Sequence, residues 1–156
     1  MSGRNDDPPY PPDALVMLQA DHAKVRALLA DYEAAREREL KRSIAALVWV
    51  ELEIHMQLEA CLFYPAVNDA TDAGPELVTQ SLEDHQRIQA LIQELREIGP
   101  HIKVFDDTFH ELARLVEDHI QAEEATLFPL AEAALKDHPD ALLDEMQALK
   151  QALLAS

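Results

Sequence analysis

The sequence predicts an all-α protein, an up-down-up-down four-helix bundle with a short extra C-terminal helix. Three observations carry this prediction. Apolar residues recur at three- and four-residue intervals along nearly the whole chain, with no convincing two-residue alternation. Glycine and proline are sparse and widely spaced, so they delimit long segments instead of fragmenting them. The intervals between successive inward histidines have their midpoints on the predicted turns, as antiparallel neighbours require.

Taken in order, residues 1–12 (MSGRNDDPPYPP) hold four prolines in their last five positions and no apolar run. That composition predicts a disordered, Pro-rich lead-in and no secretory signal. A first helix is expected over 13–35, with Leu15, Leu18, His22, Val25 and Leu29 along its seam. The second covers 38–64, carries Ile44, Leu47, Val48, Leu52, His55, Leu58 and Leu62, and is ended by Pro65. The link between them, somewhere from Glu33 to Leu40, contains neither Gly nor Pro and is placed by distance alone. Segment 68–74 (NDATDAG) reads as a turn, and Pro75 suits the first position of a third helix. That helix carries Val78, Leu82, His85, Ile88, Ile92 and Leu95 until Gly99 and Pro100 stop it. A fourth, over 103–127, carries Phe109, Leu112, Val116 and His119 before Pro129 interrupts. A fifth amphipathic piece over 140–154 follows His138 and Pro139. The bundle thus spans 13–135, and 136–156 form a C-terminal amphipathic helix.

Composition narrows the function. The chain has 156 residues, 48% hydrophobic and 28% charged, with a formal charge of −17. Its length suits one domain with a single core, and its apolar content is too high for a disordered chain. The negative charge argues against general affinity for nucleic acid or an anionic membrane. No stretch approaches the roughly 20 apolar residues of a membrane span. The single cysteine excludes an internal disulfide framework or a Cys-based metal site. A soluble, cytoplasmic protein is expected.

The two halves repeat each other. Asp21-His22 followed by Ala27-Leu28-Leu29 matches Asp84-His85 followed by Ala90-Leu91-Ile92. His55-x-x-x-Glu59 matches His119-x-x-x-Glu123, and Phe63-Tyr64-Pro65 matches Leu127-Phe128-Pro129. With 7 His and 16 Glu in the chain, chance supplies roughly one His-x-x-x-Glu pair, so the motif alone says little. Its weight comes from the common register with an upstream Asp-His and a downstream aromatic-Pro.

Residues four apart on a helix share one face, so His55 with Glu59 and His119 with Glu123 can each offer a nitrogen and an oxygen to one point. His22 to His55 centres near Arg38, His55 to His85 on Ala70 and His85 to His119 near Ile102. All four histidines should therefore meet in one layer. Buried together with two carboxylates they need compensation, and a pair of di- or trivalent metal ions provides it. Mixed imidazole and carboxylate ligation suits iron or manganese. If Glu59 and Glu123 both bridge, each ion receives two nitrogens and two oxygens. Open positions then remain for solvent, an oxo or hydroxo bridge, or a substrate.

Other residues have milder readings. His101, His110 and His138 lack repeat counterparts and are expected on the surface or in loops. Asp21, Asp84 and Asp118 precede ligand-type histidines. They read as solvated, with acceptance of a second ring N–H as the alternative. Cys61 reads as a buried structural thiol. Glu51, one turn before His55, is either a carboxylate reaching solvent or an occasional ligand or proton carrier on the open face. The C-terminal helix, through Leu142, Met146, Leu149 and Leu153, either covers the bundle or forms a homodimer or partner interface.

Over about 13–135 the pattern resembles the hemerythrin-like HHE cation-binding family: His, His-x-x-x-Glu, His, His-x-x-x-Glu on a four-helix bundle. The resemblance implies a non-haem di-iron centre held by His22, His55, Glu59, His85, His119 and Glu123, with both glutamates bridging. Oxygen-carrying hemerythrins have five histidines, a Glu and an Asp, so four histidines and two glutamates point away from O₂ storage. What the family then implies is a protein reacting with hydrogen peroxide or O₂, in peroxide decomposition or oxidative-stress defence. The alternative is a non-catalytic sensor or binder of O₂, nitric oxide or iron.

Overall fold

The computed structural model describes residues 13–99, 101–136 and 139–156, so the expectations for 1–12 and His138 lie outside the described residues. The backbone forms α1 (Asp13–Ala34), α2 (Arg38–Leu58), α3 (Tyr64–Ala70), α4 (Pro75–Glu97), α5 (Ile102–Ala122), α6 (Phe128–Leu135) and α7 (Pro139–Ala155). No strand occurs among the described residues, and no helix is long and apolar enough to cross a membrane. The links fall where the spacing argument puts them, the unmarked one included, since α1 ends at Ala34 and α2 starts at Arg38.

Two expected helix ends are not ends. α2 continues into α3, and α5 into α6, through single turns of π-helix at Glu59–Phe63 and Glu123–Leu127. In each, the N–H of the residue before proline bonds five residues back, Tyr64 to the Glu59 carbonyl and Phe128 to that of Glu123. Proline has no N–H and its ring crowds the carbonyl four residues back. A widened turn ahead of it removes that conflict, so the rod continues. Between Glu and Pro in each half the chain thus forms a π-turn rather than a stop.

α1, α2, α4 and α5 pack in a ring, each against its two neighbours. The core is divided. One apolar cluster gathers Val25, Tyr32, Val48, Leu52, Ile92, Phe105, Phe109 and Leu112. The other gathers Leu15, Leu18, Leu58, Phe63, Val67, Phe128, Leu135 and Met146. His22 lies between Leu18 and Val25, and His55 between Leu52 and Leu58, so the histidine layer separates the two and each side shields it from water. Leu47 and Leu82, expected on inward seams, are 55% and 38% exposed. α7 lies across α1, α2 and the first π-turn. It buries Met146 fully, with Leu142, Leu149 and Leu153 packed on the same cluster. Its apolar face is thus turned onto the bundle.

Candidate metal centre

The helices bring all six sequence-predicted side chains into one buried layer. Relative exposure is 2% for His22, 5% for His55, 0% for Glu59, 4% for His85, 6% for His119 and 2% for Glu123. Their ligand atoms form two groups, each within 4.8 Å: His22, His55, Glu59 and Glu123 in one, Glu59, His85 and His119 in the other.

Each glutamate spans the two histidine pairs. Glu59 sets one oxygen 3.3 Å from His55 Nε2 and the other 3.0 Å from His85 Nε2. Glu123 sets one 3.3 Å from His22 Nε2 and the other 3.7 Å from His119 Nε2. These separations suit charge attraction, yet Glu59 Oε2, Glu123 Oε1 and His119 Nε2 are buried with no aligned hydrogen bond. His22 Nε2 and His55 Nε2 face one another at 3.1 Å, where at most one proton fits between two lone pairs. Orphaned donors and acceptors converging in this way fit a pair of cations and no simple hydrogen-bond network.

The outward ring nitrogens explain the orientation. His55 Nδ1 donates to Asp21 at 3.0 Å, His119 Nδ1 to Asp84 at 2.9 Å and His22 Nδ1 to Glu124 at 2.8 Å. A proton held on Nδ1 leaves the Nε2 lone pair pointing inward, the tautomer a metal ligand needs. Asp21 and Asp84 are therefore acceptors, correcting their solvated reading. Neither serves its own neighbour in the chain; each reaches across a groove to the next helix. Asp118 is exposed, as expected.

Burial and neighbouring charges shift the ionisation of the layer. Burial opposes charge on His55, but the Glu59 carboxylate and the bond to Asp21 hold its imidazolium up to about 10. Burial also works against Glu59 ionising, yet the adjacent His55 charge and the hydrogen bond with His85 keep it well below the usual carboxylate range. Glu123 is driven well above that range by burial and by the adjacent Glu59 charge. His22 is lowered by burial and by the charge on His55.

Two residues of the site escape sequence reasoning. Tyr64, 1% exposed, puts its hydroxyl 2.5 Å from Glu123 Oε2, 2.9 Å from Glu59 Oε1 and 3.3 Å from His85 Nε2. One phenolic proton serves one carboxylate at a time, so Tyr64 couples the pair. Its repeat counterpart, Phe128, can only stack on His22, at 5.4 Å between ring centres. That Tyr/Phe difference inside the repeat was the available signal. Glu124 matches Ala60 in the other half and gave none. It is 3.7 Å from Arg26, itself bound through two hydrogen bonds to Glu117.

Glu51 lies outside both ligand groups and pairs with Lys24 at 2.5 Å. Cys61 is exposed and free, a correction to the buried thiol, since a residue two past the inward Glu59 lies on the opposite face of the helix. His101 and His110 are exposed as expected, with His110 2.7 Å from Glu33.

Comparison with known proteins agrees with this geometry. The sequence pattern of the Hemerythrin HHE cation binding domain matches residues 13–131 and matches again over 76–155, in keeping with the internal repeat. A curated relative, a DNA nickase of Nostoc sp. (strain PCC 7120 / SAG 25.82 / UTEX 2576), is 28% identical over 113 residues, 72% of this chain. The alignment spans only 31% of that longer protein. Among solved structures, a hemerythrin HHE cation binding domain-containing protein from Mycobacterium kansasii, an Rv2633c homolog, superimposes with a TM-score of 0.70 at 20% identity. That match covers 88% of this chain and 87% of the other. The chain belongs to the hemerythrin HHE cation-binding domain family.

Proposed function

We propose that this protein is a non-haem di-iron protein that reacts with hydrogen peroxide or O₂. The observation that carries the reading is the way Glu59 and Glu123 each turn one oxygen to the His22/His55 pair and one to the His85/His119 pair. His22, His55, Glu59, His85, His119 and Glu123 would hold two iron ions. Iron held there would supply two-electron redox chemistry toward a peroxide or O₂.

The protein's own part is electrostatic. Asp21, Asp84 and Glu124 fix the imidazole tautomers and lend negative charge through the rings. The two carboxylates offset four positive charges down to a modest surplus, which suits a site that changes oxidation state. The apolar layers on both sides keep bulk water out, and Tyr64 holds a proton at its hydroxyl beside the shared carboxylates. Glu51, tied to Lys24 outside the ligand groups, would act only as a proton carrier at the rim. The charge of −17 disfavours grip on a phosphate backbone, so the nicking activity in the Nostoc relative's name is not carried over.

The test is to load pure protein with Fe(II), measure iron per chain, record the optical spectrum and add peroxide. Two irons per chain with O₂ evolved over many turnovers is the expected result. Oxidation of the iron once, without turnover, overturns the enzyme reading. A stable oxygenated spectrum reversed by degassing favours a sensor or carrier, a reading supported by the direct contact of α7 with the site.

A further inference from the structure

The C-terminal helix reaches the candidate centre through one side chain. Lys150 Nζ donates to Asp21 Oδ1 at 3.1 Å, and Asp21 Oδ2 accepts from His55 Nδ1 at 3.0 Å. The relay runs from α7 to α1 to α2 and ends on the ring whose Nε2 faces Glu59 and His22. It is sheltered, with side-chain exposures of 27% for Lys150, 7% for Asp21 and 6% for His55. The second half is built otherwise. Asp84 supports His119, but its cation is Arg87 from the same helix, 58% exposed, and among the described residues none of α7 takes part. A duplicated site thus has one histidine support tied to an outside element and one that is self-contained.

We propose that Lys150 is a positioning residue for His55, and that through it the docking of α7 and the retention of the ion at the His22/His55 position form one linked equilibrium. The proposal rests on the metal-binding reading above. Lys150 fixes Asp21, Asp21 fixes the ring plane and Nδ1 proton of His55, and the ring aims Nε2. An ion on that nitrogen strengthens the Nδ1–H as a donor, which tightens Asp21 and makes the Lys150 contact stronger. Linkage is reciprocal: whatever α7 contributes to ion retention, the ion returns to α7 docking. Met146 and the leucines supply most of the adhesion of α7, so the Lys150 contact modulates it. The His85/His119 ion has no such handle. The two ion positions therefore differ in how the protein surface senses them.

The experiment uses full-length iron-loaded protein, with Lys150→Met, its rescue Lys150→Arg, and Arg87→Met as the mirror change. Iron loss to a chelator is followed with time, and backbone amide exchange of α7 is compared with and without iron. Removing a partner that orients a ligating histidine typically weakens metal binding about 10- to 100-fold. Lys150 acts one step further out, so Lys150→Met is expected to speed release of one iron about five- to tenfold and leave the other. Lys150→Arg restores the rate, and Arg87→Met does not touch that phase. Iron slows α7 amide exchange in the native chain, and that protection is lost in Lys150→Met. Equal acceleration of both irons together with a lower melting temperature of metal-free protein reveals a merely structural role and overturns the proposal. Unchanged release and unchanged α7 exchange with two irons bound also overturn it. A native chain that takes up no iron pair sinks the functional reading instead, so the two failures are distinct.

Discussion

At the scale of single residues, Tyr64 is the group whose removal separates stability from ligation. Its hydroxyl is the one uncharged donor aimed at both shared carboxylates, and a hydrogen bond to a charged group contributes about 1.5–3 kcal/mol. Tyr64→Phe should therefore lower the unfolding free energy of metal-free protein by about that much, read from a urea titration, while iron per chain stays the same. Tyr32 gives a second test, remote from the centre. It is fully buried, stacked on Phe109 at 3.8 Å, and donates to Asp106 at 2.5 Å. Burial, then the bond to Asp106, raises its ionisation far above the ordinary tyrosine value. A phenol whose folded value is raised gives stability that is complete below the unfolded value near 10 and lost as pH climbs past it. Thermal melts of the native chain should fall above about pH 10, and Tyr32→Phe should flatten that limb.

At the scale of elements, the layer of ligands was legible because its signal is arithmetic: helical rise, turn placement and a repeat in register. What was not legible is instructive. Pro65 and Pro129 read as stops because proline breaks an α-helix, and no one-dimensional pattern announces that a π-turn will absorb the break. Asp21 and Asp84 were misread because their partners sit on a neighbouring helix, and within-helix spacing is blind to that. Leu47 and Leu82 show that seam positions are half-committed where a helix edge meets solvent. For α7 the amphipathic pattern was clear, but whether its face meets the bundle or another protein depends on a tertiary contact. That contact is measurable. Met146 is fully buried on the Leu15, Leu58 and Leu135 cluster, and truncating a buried Met to Ala costs about 2–5 kcal/mol. Met146→Ala should lose stability in that range in chemical denaturation and raise amide exchange along α7 before the four long rods.

At the scale of the whole molecule, one property, the net charge of −17, acts on folding and on metal capture in opposite directions. Self-repulsion of so many carboxylates destabilises the compact state, and salt relieves it, because the Debye length shrinks from about 30 Å at 0.01 M to about 10 Å at 0.1 M. The metal-free protein should melt at higher temperature as salt rises. The same field draws divalent cations toward the bundle, so screening should slow Fe(II) uptake over the same range, read by stopped-flow absorbance. Salt that stabilises the fold and slows loading together would identify the surface field as common cause. Once an ion reaches the layer, local protons decide affinity. His55, held up to about 10 by Glu59 and Asp21, carries a proton at pH 7 that ligation must expel, while burial pushes Glu123 above its usual range. Loading should release at least the His55 proton, and affinity should strengthen as pH rises from about 6 to about 8. Calorimetry in buffers of differing ionisation enthalpy counts the protons released. Uptake without release would mean that His55 does not bind the metal.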